Sequence, residues 1–170
     1  ILFHAAAGGV GQIFGQWAKS LGCSVIGTVG SDEKIDIAKK FGCDHVINYS
    51  KDDFQKKVME INNEEGLPVV YDGVGKVTME KSLGCLKMRG TFVSFGNASG
   101  KLDPLDVGKL IAPKGLFLTR PSIAHYTATR KELDEAADKL FEMVKTQKVK
   151  IDIFKKYGLK DAVNAHKDLE

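Results

Sequence analysis

The chain has 170 residues, 43% hydrophobic and 28% charged, which is enough for one domain with a sizeable core and ordinary for a soluble globular protein. Its formal net charge is only +3 and its lysines are scattered; with no apolar run near the roughly 20 residues that cross a bilayer, neither nucleic-acid binding nor membrane insertion is indicated. Cys23, Cys43 and Cys85 are odd in number and match no zinc spacing, so they read as small apolar residues of a reducing compartment, the cytoplasm.

In chain order, residues 1–3 read as an apolar strand, and the turn Ala6-x-Gly8-x-x-Gly11 opens a helix whose apolar face carries Val10, Ile13, Phe14, Trp17, Ala18 and Leu21. A strand at 24–29 follows, then a helix at 31–41 with Ser31 as N-cap and Asp32 and Glu33 in its first turn. Residues 44–48 read as a strand, 52–61 as a helix with Phe54, Val58 and Ile61 on one face, and 67–71 as a strand ending at Asp72-Gly73-Val74-Gly75. A helix at 77–86, a strand at 91–95, a Gly/Asn/Ser loop at 96–102, a short helix at 106–111 and a sixth strand at 116–119 come next. Thr129-x-x-Glu132 is a capping box opening a helix to about Gln147, with Leu133, Ala137, Leu140, Phe141 and Val144 inward. Residues 149–153 are extended, and 162–169 form a last helix. The chain starts inside a strand and stops at Glu170 in an unfinished helix, as a piece of a longer protein would. Such alternation predicts an α/β fold, a Rossmann-type doubly wound parallel sheet of about six strands with helices on both faces.

In such a sheet, ligands bind at the carboxyl ends of the strands. The glycines cluster there: Gly8 and Gly9, Gly27 and Gly30, Gly73 and Gly75, and Gly96. Turn formation alone accounts for each loop taken singly; four along one edge suit a long ligand lying across it. The first turn follows the spacing G-x-G-x-x-G with Ala6 at its first position, in which small residues let a pyrophosphate reach backbone N–H groups at a helix N-terminus. The second strand ends Ile26-Gly27-Thr28-Val29-Gly30-Ser31, without the acid that binds the ribose 2′-hydroxyl in NAD-specific domains. Lys34 lies in the first turn of the next helix, where a cation opposes the dipole. Either a 2′-phosphate is its partner, or it is a solvated surface lysine. The Tyr49 hydroxyl either binds the same phosphate or caps the sheet's apolar rim.

His4 reads as a hydrogen-bonded core histidine, and His125 and His166 as loop or surface positions. Asp72 either acts as a general base or holds the N–H groups of its turn. No metal-ligand set and no Ser/His/Asp or Cys/His arrangement is legible, so no catalytic residue is assigned.

The runs Phe3-His4-Ala5-Ala6-Ala7-Gly8-Gly9-Val10-Gly11, Val70-Tyr71-Asp72-Gly73-Val74-Gly75, Ser94-Phe95-Gly96-Asn97-Ala98-Ser99-Gly100 and Leu118-Thr119-Arg120-Pro121 carry a family resemblance. Over its whole length, residues 1–170, the chain resembles the nucleotide-binding domain of zeta-crystallin-like NADPH:quinone oxidoreductases, in the medium-chain dehydrogenase/reductase superfamily. The resemblance implies hydride transfer from NADPH to a quinone or similar electron-poor acceptor, without zinc. An enal, enone or enoyl-thioester reductase is the enzymatic alternative, and a crystallin-like structural or RNA-binding protein the alternative of another class. It implies that Gly8, Gly9 and Val10 line the pyrophosphate. Gly30, Ser31, Lys34 and Tyr49 would hold the adenosine ribose and its 2′-phosphate. Val74 would touch the ribose or nicotinamide side, Phe95, Gly96 and Asn97 would wall the nicotinamide half, and Pro121 and Ser122 would lie near the nicotinamide. It also implies a GroES-like catalytic domain outside this chain, an isolated chain without activity of its own, and a homodimer through the sixth-strand edge from Gly115 to Thr119.

Overall fold

Short apolar strands alternate with helices in the computed structural model of the protein, which describes residues 1–169. The strands are β1 (Leu2–Phe3), β2 (Ile26–Val29), β3 (His45–Asn48), β4 (Leu67–Asp72), β5 (Leu86–Ser94) and β6 (Phe117–Thr119). They form one sheet in the order β3-β2-β1-β4-β5-β6, every neighbouring pair parallel. This is the Rossmann-type doubly wound order, with its switch point between β1 and β4.

The helices are α1 (Gly9–Ser20), α2 (Ile35–Lys40), α3 (Phe54–Ile61), α4 (Met79–Gly84), α5 (Ile123–Tyr126), α6 (Arg130–Lys145) and α7 (Ala162–Leu169). Glu170 lies outside the described residues. On one side of the sheet Leu2, Ile26, Val70 and Phe92 pack with Phe54 and Val58 of α3 and Met79 and Leu83 of α4. On the other, Phe3, Val25 and Val29 pack with Ala18 of α1 and Ala38 of α2.

Only part of the apolar face of the first helix turns inward: Ala18 is buried and Phe14 stacks on Phe3, ring centroids 4.2 Å apart. α1 meets the fold through Gly11, Gly15 and Ala18, its buried residues, spaced i, i+4, i+7 on one face. A Cβ at Gly11 would lie 2.5 Å from the Ala6 carbonyl oxygen, and one at Gly15 would lie 2.3 Å from that of Phe41. Backbone therefore packs on backbone, and the larger side chains are displaced sideways. Val10 and Leu21 stay exposed at 64% and 71%, and with Ile13, Phe14 and Trp17 they line an apolar groove of about 560 Å³.

The long helix α6 is corrected too. Its capping box forms as expected, with Glu132 N–H donating to the Thr129 hydroxyl and Thr129 N–H to the Glu132 carboxylate. It buries no residue fully: Leu133 and Phe141 are exposed, and Ala137, Leu140 and Val144 are half-buried. The segment 31–41 begins as a 3₁₀ turn, and Ser31 supplies no side-chain cap. β5 starts five residues earlier than expected, α5 was not expected, and 106–111 folds as a π-helical turn.

Candidate cofactor site

The turn between β1 and α1 is shaped by side chains that are not there. Ala5 has a φ of 57°, the left-handed region that costs a residue with a Cβ, and its carbonyl accepts from the Gly8 N–H at 2.9 Å. Gly8 is the extended N-cap of α1 and brings no capping side chain; around Gly9 an added Cβ would meet nothing within 4 Å. The first N–H groups of a helix have no intrahelical partner. Here Gly8, Gly9 and Val10 are exposed at the positive end of the helix dipole.

Beside this turn lies a hollow of about 180 Å³ lined by Ala5, Ala7, Gly8, Val29, Gly30, Lys34 and Tyr49. A Cβ at Gly30 would come within 3.3 Å of the Tyr49 hydroxyl, so glycine there keeps the hollow open. Two acids lie close in sequence: Glu33 hydrogen-bonds Ser31, which holds its carboxyl below the usual range, and Asp32 is engaged elsewhere. The Asp32 carboxylate accepts from Asn48 Nδ2 at 2.7 Å and pairs with Lys51, and the Lys51 ammonium holds it below the usual carboxylate range, with help from Asn48. Among the described residues no carboxylate pairs with Lys34.

At the other end of the edge, side chains tie the loops together. Asp72 is fully buried. Its Oδ1 accepts from the N–H groups of Val74 and Gly75 at 2.8 and 2.9 Å, and its Oδ2 from the Thr78 hydroxyl at 2.8 Å. With these three donors it is a turn anchor, not a base open to a ligand. Ser99 donates its hydroxyl to the Val74 carbonyl at 2.8 Å and its N–H to the same oxygen. Beyond β5 and β6 a second hollow, of about 720 Å³, is lined by Phe95, Arg120, Pro121 and Ser122 with three residues of α5.

The expected site residues thus fall into groups. Gly8, Gly30, Lys34 and Tyr49 come together in the small hollow, and Phe95, Pro121 and Ser122 in the large one. Val74 sits in the anchored turn between them, and Gly96 packs so closely that a Cβ would lie 2.5 Å from the Gly73 carbonyl oxygen. The Asn97 side chain accepts from Arg120. Gly9 and Ser31 adjoin the small hollow without lining it, and Val10 lines the apolar groove on the far side of α1. Ala5, Ala7, Val29 and Arg120 were not singled out. The run of three alanines before Gly8 is the one local signal, and it bears on Ala5 and Ala7; nothing local marks Val29, or the role of Arg120, whose partners are distant in the chain.

Under the edge runs a buried polar chain. The Ser82 hydroxyl donates its one proton to the Thr78 carbonyl at 2.7 Å, so at 2.8 Å it accepts from His4 Nε2. His4 Nδ1 then carries the lone pair and accepts from the Thr28 hydroxyl at 2.7 Å. Burial pushes the imidazole down to about 4, against the pull of Asp72, so His4 is a neutral core group at pH 7. Burial likewise pushes the Cys43 and Cys85 thiols up to about 11 and about 12. They are unreactive apolar residues, as their spacing suggested.

Residues 9–142 match the family described as zinc-binding dehydrogenase. Among the described residues no group of three or more His, Cys, Asp or Glu side chains is gathered to hold a metal. The chain is 48% identical over 171 residues to quinone oxidoreductase 1 of Escherichia coli, covering 99% of this chain and 52% of that protein. It is 46% identical over 168 residues to a 2-haloacrylate reductase of Burkholderia, covering 98% of this chain and 50% of that one. The crystal structure of the E. coli quinone oxidoreductase complexed with NADPH superposes with a TM-score of 0.93, over 99% of this chain and 52% of that one. The chain spans about half the length of the relatives it matches. By the family match over most of its residues and by the parallel sheet it shares with these relatives, the chain belongs to the zinc-binding dehydrogenase family of the medium-chain dehydrogenase/reductase superfamily.

Proposed function

We propose that this chain is the NADPH-binding domain of an oxidoreductase that passes a hydride to a quinone or a similarly electron-poor acceptor without zinc. The observation that carries the reading is the small hollow at the end of β2. It holds an ammonium, Lys34, with no carboxylate partner among the described residues, beside the Tyr49 hydroxyl, and it has no acid in its lining. A ribose 2′-phosphate supplies the missing anion, and each charge-assisted hydrogen bond to it adds about 1.5–3 kcal/mol. An acid, which a 2′-hydroxyl would need, is absent from the lining. Relatives described with NADPH or as quinone oxidoreductases support the same reading.

The chain's own residues bind and orient. The bare turn at Gly8 and Gly9 admits a pyrophosphate to the N-terminus of α1. Gly30, Lys34 and Tyr49, with Ser31 beside them, hold the adenosine side. Val74, Phe95, Gly96, Asn97, Pro121 and Ser122 bound the opposite side and keep water from the reacting ring. When bound, the dihydronicotinamide supplies the hydride, and the protein positions it.

In this reading residues 1–170 are the dinucleotide domain, and a GroES-like domain elsewhere in the protein completes the acceptor pocket. The second reading, an enone-type or halogenated-acrylate reductase, is favoured by the 2-haloacrylate reductase among the relatives. The edge strand β6 exposes Phe117 and Leu118 at 61% and 42%, which suits a homodimer that covers this edge. Three free cysteines suit the cytoplasm. Titrating the full-length protein with NADPH and NADH in a calorimeter tests the core of the proposal. NADPH should bind at least about tenfold tighter. Equal affinities would remove the 2′-phosphate assignment, and binding of neither would remove the cofactor reading.

A further inference from the structure

We infer that Arg120 is a positioning residue for the nicotinamide half of the cofactor, acting through the turn that follows β5. The inference rests on the NADPH reading above. If the 2′-phosphate lies at Lys34 and the pyrophosphate at the N-terminus of α1, the adenosine half covers the β2 and β3 side. The strand order then leaves one direction for the other half: across the ends of β4, β5 and β6.

That end of the edge needs fixing. The turn after β5 is held on its inner flank by backbone: Phe95 N–H donates to the Asp72 carbonyl at 2.9 Å, Ala98 N–H to that of Gly73 at 3.2 Å, and Ser99 N–H to that of Val74 at 2.8 Å. Its outer flank is held by Arg120. The paired register of β5 and β6 ends at Val93 and Thr119, which brings Arg120 level with Ser94. Arg120 Nη1 donates to the Ser94 hydroxyl at 2.9 Å and to Asn97 Oδ1 at 3.2 Å. Ser94 is buried, at 1% exposure, so one end of this clamp is rigid.

The clamp also orients the amide. A guanidinium has donors only, so Asn97 must turn its oxygen toward Arg120. Its two Nδ2 donors are thereby directed away from the clamp, free to meet a carboxamide or ribose oxygen of the ligand. Among the described residues no carboxylate pairs with Arg120; both of its partners are neutral acceptors. A lysine reaching the same place lacks the rigid planar arrangement of donors that fixes the two acceptors relative to each other.

The test compares two ligands on the full-length protein. One is NADPH; the other is 2′-phosphoadenosine-diphosphoribose, the same molecule without its nicotinamide. Arg120→Ala should weaken NADPH by about tenfold and the truncated ligand by less than about twofold. Arg120→Lys, which keeps the charge and the stem, should weaken NADPH severalfold with the truncated ligand unmoved, and it carries the test if the alanine variant fails to fold. Combined with Asn97→Ala, Arg120→Ala should cost no more than the larger single change, because both remove one arrangement. Equal loss on the two ligands by the folded variants, no loss on either, or independent effects of the two substitutions would overturn the inference alone. A wild-type protein that bound neither ligand would overturn the NADPH reading, and this inference with it.

Discussion

Around β1, β2 and β3 the carboxyl edge of the sheet is contoured by missing side chains, whereas around β4, β5 and β6 it is contoured by side chains that bind loops to one another. The first end makes a hollow of about 180 Å³ and the second one of about 720 Å³. The first is narrow because Gly8 and Gly30, with Ala5 and Ala7, let backbone come close beside the Lys34 and Tyr49 side chains. The second is wider and is walled by Phe95, Arg120, Pro121, Ser122 and α5, next to turns braced by Asp72, Ser99 and Arg120. A site for a charged group of fixed size suits the first construction.

The largest effect is expected where the first construction has no slack. Gly11→Val places atoms inside contact distance of the Ala5 and Ala6 carbonyl oxygens and should cost about 4 kcal/mol in urea unfolding. A loss below about 1 kcal/mol would mean that the turn yields and that the two ends are not built differently. Asp72→Ala tests the braced end. It strands the N–H groups of Val74 and Gly75 and leaves the Thr78 hydroxyl only the Gly75 carbonyl at 3.1 Å, and should cost about 3 kcal/mol.

The buried chain through His4 lies beneath both ends. Its pKa is about 4 in the fold against 6.5 outside it, so between those values the unfolded chain holds the extra proton. Stability is therefore complete above pH 6.5 and falls as the pH drops toward 4, by about 3 kcal/mol at most. Urea midpoints measured across that range should show the slope, and His4→Gln should flatten it. Next in size is Lys34→Ala. It should weaken NADPH by about tenfold or more while leaving NADH within about twofold; equal weakening of both would break the assignment of the narrow end to a 2′-phosphate. Thr129→Ala, remote from both ends, should cost about 1 kcal/mol of local helix stability by hydrogen exchange and leave both ligand affinities unchanged.

Legibility in the sequence followed the same division. The narrow end was readable because a missing Cβ at a strand end has a direct physical meaning, room for backbone or for a ligand: Gly8, Gly30, Lys34 and Tyr49 could be picked out and do share one hollow. Asp72 was readable only as two alternatives, since a strand-end carboxylate can serve a turn or a ligand until its three donors are seen. Arg120 could not be assigned, because its partners Ser94 and Asn97 are 26 and 23 residues away. Hydrophobic spacing misled at α1 and α6. It marks an apolar stripe but not what the stripe meets, and at α1 the glycine face packs on the turn at Ala5 and Ala6 and on the end of α2 at Phe41.

What the sequence by itself determined is the alternation of strands and helices, the parallel sheet that follows from it, and the glycine-lined turn at a helix N-terminus. These rest on local rules: side-chain periodicity, turn chemistry and the room a missing Cβ leaves. Only the tertiary structure decided which face of α1 is buried, that Asp32 is diverted to Lys51 and Asn48, which tautomer His4 holds, and that Arg120 braces the turn after β5. Each of these depends on a partner distant in the chain, and a directional bond or a close packing contact has no signature in the sequence until folding brings both partners together.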